Sequence, residues 1–295
     1  MNHSTIAQRD IDLPNGQRLH VAESGSGPLM LFLHGFPEAW FMWRGALQQF
    51  GDRFHAVAPD QRGYNLSTKP EGTKHYRAKA LVQDILQLAD ALGHERFILV
   101  AHDWGGAIAW NVAAWHPDRV EKLVIVNAPH AVTFGRALAT SEAQVAASAY
   151  MTLFRQTKAE RVMSENGFRR LRAMSFDQWA ANGGPGDQAT LDAYLEAWSR
   201  PGALTGMLEW YRASPLHPPE PEAPLPVLDP EMFRVKVPTL VVWGERDHAL
   251  LPVNLEGLGE VVDDLRVVRI PDASHWVVHE RPGHVMRAIE EFVDG

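Results

Sequence analysis

The stretch from Phe97 to Gly106, FILVAHDWGG, restricts the possible folds of this chain more than any other part of it. Phe97 to Ala101 is an unbroken apolar run, the pattern of a strand covered on both faces, and a helix is expected to open at Ala107. Passing from a buried strand to a helix in so few residues takes a sharp turn. Such a turn exposes its central side chain above the carboxyl edge of a sheet, and its crowding demands small neighbours. Asp103 is the central residue, with Ala101, Gly105 and Gly106 around it. The alternative role for Asp103 is to cap the next helix, where Asp is a favoured residue.

Apolar runs at Leu29–Leu33, His55–Ala58 and Leu123–Val126 repeat the buried-strand pattern. Between them lie helical stretches such as Ala80–Leu92, in which Leu81, Ile85, Leu88 and Leu92 recur at helical spacing. Runs that are apolar throughout predict a sheet whose later strands are parallel and whose faces are both covered by helices. That pattern stops near residue 130. From 131 to 214 the sequence holds Ala-, Leu- and aromatic-rich helical segments, broken at Asn182-Gly183-Gly184-Pro185-Gly186, with no strand pattern. The proline-rich PLHPPEPEAPLP, from Pro215 to Pro226, reads as an extended return linker, the other possibility being a docking motif for a proline-reading partner. Strand patterns resume at Thr239–Trp243 and Arg266–Ile270, and a helix is expected near His284–Val293. The predicted fold class is α/β: a mostly parallel sheet flanked by helices, built from residues 1–130 and 231–295, with an inserted helical module and its return linker at 131–230.

A length of 295 residues, 45% of them hydrophobic and 22% charged, suffices for one large core plus that insertion. The formal net charge of −8 leaves no basic footprint for nucleic acid or for an anionic membrane surface, and a small uncharged substrate fits better. The longest apolar run, Leu29–Leu33, falls far short of the roughly 18 residues that a membrane span needs. The opening MNHSTIAQRD lacks the charged-then-apolar order of a secretory signal. With no cysteine in the chain, disulfides and thiolate-bound metals are excluded, and a cytoplasmic location is expected.

The residue at the centre of the turn limits the chemistry. In the Gly-x-Ser-x-Gly form of this turn the centre is serine, which attacks carbonyl carbon; attack by serine on a saturated carbon would leave an ether that the same machinery cannot hydrolyse. A carboxylate has no such dead end. Asp103 attacking a saturated carbon forms an alkyl ester on the enzyme, whose carbonyl activated water can then attack. The helix N-terminus beyond it is expected to help keep the carboxylate ionised. Downstream, Asp247 in WGERD and His275 in DASHW each follow an apolar strand, so the same sheet edge would receive both, in the chain order nucleophile, acid, histidine. His275 would act as general base toward water, with Asp247 fixing its tautomer and stabilising the imidazolium. After the first strongly apolar strand, His34-Gly35-Phe36-Pro37-Glu38 would supply the Phe36 backbone N–H, which with that of Trp104 makes an oxyanion hole for the tetrahedral ester. His34 is expected to be structural support.

Taken in order, HGFPE at 34–38, APDQRGYNLS at 58–67, HDWGGAIAW at 102–110, VNAPH at 126–130, GERD at 244–247 and SHW at 274–276 resemble the epoxide hydrolase branch of the α/β-hydrolase superfamily over nearly the whole chain. Asn65 stands where that family commonly has glycine, and Asn tolerates left-handed backbone. The resemblance implies the α/β-hydrolase fold with a helical cap domain, and two cap tyrosines whose hydroxyls bind the epoxide oxygen. The matching positions are Tyr150, in AYMTLF, and Tyr211, in EWYR. A phenol with a pKa of about 10 stays protonated at neutral pH and can donate to a developing alkoxide. The alternative is that both tyrosines pack as core with their hydroxyls bonded elsewhere.

The implied reaction converts a small epoxide to a vicinal diol, and Phe36, Trp104, Phe154, Trp210 and Trp276 would give the pocket an apolar wall. Its partners are the epoxide and water. No metal or organic cofactor is implied, because nucleophile, base and acids are all side chains, and monomer and homodimer both stay open. A haloalkane or haloacid dehalogenase is the alternative that shares the Asp nucleophile. Haloalkane dehalogenases, however, typically carry Asn or Glu where this chain has Phe36, and the fluoroacetate type carries Arg where it has Trp104. A non-catalytic ligand receptor on the same fold would be favoured by a broken triad, whereas Asp103, Asp247 and His275 are all present.

Overall fold

The apolar runs assemble into one sheet in the computed structural model, which describes residues 5–220 and 224–295. Its strands are β1 (Ala7–Asp12), β2 (Arg18–Ser24), β3 (Leu29–Leu33), β4 (His55–Pro59), β5 (Phe97–His102), β6 (Val120–Val126), β7 (Thr239–Gly244) and β8 (Leu265–Ile270). They lie in the order β1-β2-β4-β3-β5-β6-β7-β8. The pairs β1·β2 and β2·β4 are antiparallel, and every later pair is parallel.

Helices α1 (Arg44–Phe50), α2 (Ala78–Ala91) and α3 (Asp103–Trp115) follow β3, β4 and β5. Between β6 and β7 come α4 (Ala131–Thr140), α5 (Glu142–Ala147), α6 (Ala149–Phe154), α7 (Ala159–Met174), α8 (Phe176–Ala181), α9 (Gln188–Ser199) and α10 (Ala203–Ala213), with no strand among the described residues there. The backbone of α7 is non-helical from Glu165 to Phe168, and the Asn182–Gly186 break separates α8 from α9. The short α11 (Val277–Glu280) and α12 (Pro282–Asp294) close the chain.

Strand side chains alternate between two faces. Leu29, Leu31 and Leu33 of β3, with Leu99 of β5 and Leu123 of β6, join one core with Leu81, Ile85 and Leu88 of α2 and with the buried side of α3. Met30 and Phe32, with Val100 and Val124, join a second core with Leu47 and Phe50 of α1 and Val285 and Ile289 of α12. This is why the runs are apolar at every position. The helices between β6 and β7 extend the first core, through Phe154, Trp179, Tyr194, Trp198 and Trp210.

One contact seats α10 on the sheet's connections. A Cβ added to Gly206 of α10 would stand 2.5 Å from the Gly63 carbonyl oxygen, so the two backbones meet where only glycine fits. The Trp210 indole N–H, one helical turn on, donates to the Arg62 carbonyl at 3.0 Å. In the same loop Asn65 takes φ +34°, as expected for a residue in a glycine-like position.

Two details differ from the sequence expectation. The helix expected at Ala107 opens at Asp103, because the turn is made within the first helical residues themselves. The strands β1 and β2 had no apolar run to announce them; β1, AQRDID, is exposed along most of its length. Of the proline-rich stretch 215–226, residues 221–223 lie outside the described residues, as do residues 1–4 of the opening decapeptide; the described remainder of 215–226 contains no helix.

Candidate active site

Asp103 follows β5 directly and takes φ +49°, a left-handed conformation that costs a non-glycine residue about 1–3 kcal/mol. The crowding behind it is visible at Gly105, where an added Cβ would lie 2.5 Å from the His34 carbonyl oxygen. The turn aims the Asp103 carboxylate at the loop after β3, where the Phe36 N–H donates to Oδ1 at 2.6 Å. Its other oxygen, Oδ2, lies 3.6 Å from Nε2 of His275, too far for a hydrogen bond. Burial pushes the Asp103 carboxyl above its ordinary range; His275 and the amides of Phe36 and Trp104 pull the other way without reversing that direction. The expected help from the helix terminus is therefore present but does not outweigh desolvation.

His275 stands in the loop after β8, and its Nδ1 donates to Asp247 Oδ2 at 2.7 Å. Burial lowers the pKa of such a ring, but the charges of Asp247, Asp103 and Glu38 and the bond to Asp247 outweigh it, and the imidazole is pushed up to about 9. Asp247 is held from several sides. Its Oδ1 accepts from the Ala249 and Leu250 amides at 2.8 Å each, and its Oδ2 also accepts from Asn127 Nδ2 at 2.8 Å. Asn127, just past β6 with φ +40°, accepts the Gly244 N–H at 2.8 Å and so ties the ends of β6 and β7 together. The motif VNAPH contains Asn127, yet no role for it was expected; its place one residue beyond a parallel strand is the signal that would have found it.

His34 is buried support. Its Nδ1 donates to the Gly35 carbonyl at 3.0 Å and its Nε2 accepts the Gln61 N–H at 3.0 Å, while burial lowers its pKa to about 4. His102 is also held neutral, pushed well down by burial, and donates from Nε2 to the His275 carbonyl at 2.9 Å. Glu38 is a further residue whose part was not expected. Its carboxylate accepts from His279 Nε2 at 2.8 Å and from the Tyr194 hydroxyl of α9, and the neighbouring Pro37 carbonyl accepts from the Trp198 indole at 2.7 Å. These bonds lock the Phe36 loop between α9 and α11.

Tyr150, on α6, and Tyr211, on α10, are brought together above Asp103, with ring centroids 6.0 Å apart. Both phenols are pushed far above their ordinary pKa, first by burial, with the Asp103 charge contributing, so both keep their protons. Tyr211 packs edge-on against Phe36 at 5.2 Å and Trp104 at 5.0 Å. Two cavities meet at this point. One, of about 290 Å³, runs past Trp104 and Trp210 toward Phe134, Trp115 and Phe233. The other, of about 170 Å³, contains Phe36, His275 and Trp276. Asp103, Tyr150 and Tyr211 line both. Of the aromatic residues expected in the wall, Phe154 differs: it is fully buried behind Phe36 and Tyr211 and lines neither cavity. Its side chain supports the wall rather than forming it.

Chemically, the arrangement offers a carboxylate oxygen free to attack, a histidine beside it, backbone donors at the other oxygen and two phenolic donors across an apolar space. Among the described residues no group of three or more His, Asp or Glu side chains is placed to hold a metal ion, and no helix is long and apolar enough to cross a membrane.

The family model for the alpha/beta hydrolase fold matches residues 28–282. The AB hydrolase superfamily protein YfhM of Bacillus subtilis is 35% identical over 288 residues, which is 95% of each chain. Epoxide hydrolase 4 of Mus musculus is 33% identical over 95% of this chain and 77% of its own. The crystal structure of Bacillus megaterium epoxide hydrolase in complex with an inhibitor is 36% identical, covers 97% of this chain and 100% of that one, and superposes with a TM-score of 0.90.

Proposed function

The chain belongs to the alpha/beta hydrolase fold family, in its epoxide hydrolase branch, and from that premise we propose that it hydrolyses a small, apolar-substituted epoxide to a vicinal diol through an ester on Asp103. One observation carries the reading: Asp103, Tyr150 and Tyr211 border both cavities, so an epoxide there meets a nucleophile on one side and two proton donors on the other. The helices of residues 131–230 serve as a cap domain over a core made of 1–130 and 231–295.

Oδ1 of Asp103 is occupied by the Phe36 amide, so Oδ2 attacks the ring carbon. The ring C–O bond breaks, and the departing oxygen takes a proton from Tyr150 or Tyr211. Burial raises the phenol's pKa toward that of the alcohol being formed, so the transfer is closely balanced, and the pair acts as a preorganised oxyanion site. The ester then holds its carbonyl oxygen against the Phe36 and Trp104 amides. Esterification removes the Asp103 charge that helps hold the ring protonated; once its proton has passed to solvent, the neutral His275, oriented by Asp247, takes a proton from water, and the hydroxide adds to the ester carbonyl carbon. Collapse releases the diol oxygen, which is protonated by His275, and the proton left on the Asp103 carboxyl restores the tyrosine. Trp104, Trp210, Phe36 and Trp276 supply the apolar surface for the epoxide's substituent.

The test is a panel of mono- and disubstituted epoxides beside haloalkanes and haloacids, scored for diol and for halide. Diol from epoxides is expected, with Tyr150→Phe and Tyr211→Phe each slowing it. Halide release with no diol would assign the Asp103 chemistry to dehalogenation.

A further inference from the structure

Gln144 is a fully buried polar side chain outside the residues used so far. It lies on α5, one short helix before Tyr150, and all of its hydrogen-bonding capacity is used. Its Nε2 donates to the Ser148 hydroxyl and to the Ala249 carbonyl, each at 2.8 Å. Its Oε1 accepts from the Leu251 N–H at 2.9 Å and from Asn254 Nδ2 at 2.7 Å. Ser148 is the residue from which α6 starts, and its carbonyl accepts the Met151 N–H at 3.0 Å, so one end of this network grips the backbone on both sides of Tyr150. The other end grips 249–254, the loop whose first amides, Ala249 and Leu250, hold the Asp247 carboxylate.

We propose that Gln144 is a positioning residue that sets Tyr150 at a fixed distance from the Asp247–His275 pair, so that the donor to the epoxide oxygen and the base for water are held by one buried amide. This rests on the epoxide hydrolase reading above. A packed apolar residue of the same shape would fill the volume but would leave the Ala249 carbonyl, the Leu251 N–H and the Asn254 amide without this partner, and α6 free to slide on the loop. Displacements of about 1 Å at a reacting group cost on the order of a hundredfold in rate.

The test is a double-mutant cycle of Gln144→Met with Tyr150→Phe, read as the rate of adduct formation on Asp103 in a single turnover. Gln144→Met alone is expected to slow adduct formation by about 10- to 100-fold. In the Tyr150→Phe background the same change is expected to have less than about a threefold effect, because the hydroxyl it misplaces is already gone. A wild-type rate for Gln144→Met, or the same fractional loss in both backgrounds, overturns the proposal and leaves Gln144 a structural residue. Should Gln144→Met not fold, Ser148→Ala removes only the bond next to Tyr150 and carries the same cycle with the same two outcomes. Failure of the wild-type chain to form diol, or wild-type rates in Tyr150→Phe, Tyr211→Phe and the double variant together, would instead strike the epoxide reading itself.

Discussion

Asp103, Asp247 and His275 stand one, three and five residues beyond the ends of β5, β7 and β8. Tyr150 and Tyr211 stand on α6 and α10, far along the chain from any strand. The two halves of the site are therefore positioned by different means. On the sheet side, strand register and a short turn fix each side chain locally, with neighbours such as Asn127 bracing one strand end against the next. On the helical side, position comes from long-range contacts: the Gly63–Gly206 approach and Trp210–Arg62 bond for Tyr211, and the Gln144 network for Tyr150. Damage to the first half should stop a chemical step, whereas damage to the second should degrade a distance.

The largest effect is expected on the sheet side. His275→Gln should abolish turnover while leaving the first step possible, since attack by Asp103 needs no base; intact-protein mass spectrometry should then find an adduct of one whole epoxide mass. No adduct on a folded variant would mean that the two sides do not divide the steps as argued. Next come the phenols. Tyr150→Phe and Tyr211→Phe should each lower the adduct-forming rate by about 10²–10³, with partial cover from the remaining hydroxyl. Wild-type rates in both and in the double variant would remove the helical side from the chemistry.

A smaller effect sharpens the contrast. Gly206→Ala forces α10 away from Gly63, in the loop after β4, without touching the loops that carry Asp103, Asp247 and His275, and overpacking of this kind costs about 1–3 kcal/mol. Epoxide opening should slow by about tenfold, with adduct hydrolysis unchanged; a loss confined to hydrolysis would contradict the assignment of α10 to the first step. The smallest change is a shift in pH dependence. Asp103 is one of the carboxylates that hold His275 up to about 9, and esterification removes its charge. Adduct decay needs the neutral ring, so its rate should rise with pH through a midpoint below about 9, while the ring in the free protein titrates near about 9. One common midpoint would show that the Asp103 charge does not reach His275.

The same division explains what the sequence made legible. Asp103 and Asp247 could be placed because a residue just past a buried apolar run has only one sheet edge to occupy, and His275 because it follows the next strand pattern, although β8 itself is largely exposed. The tyrosines are singled out only through resemblance, since nothing in AYMTLF or EWYR says which way a helix will be seated. Gln144 and Glu38 were silent for the same reason: their partners are remote in sequence, at Ala249 and Asn254 for one and at Tyr194 and His279 for the other. Phe154 illustrates the converse, an aromatic residue expected in the wall that packing places one layer behind it. The strands β1 and β2 escaped because an antiparallel edge pair carries no continuous apolar run.

The central claim, attack by the Asp103 carboxylate, is tested most directly by following oxygen. With the protein in excess over epoxide in oxygen-18 water, the oxygen added in the first turnover should come from the carboxylate, so the diol should be largely unlabelled and the heavy isotope should appear in the peptide containing Asp103. Over many turnovers the diol should approach full labelling, as each ester hydrolysis loads the carboxylate with solvent oxygen. A diol fully labelled in its first turnover, with no heavy oxygen at Asp103, would mean that water activated by His275 attacks the epoxide directly, and would contradict the account.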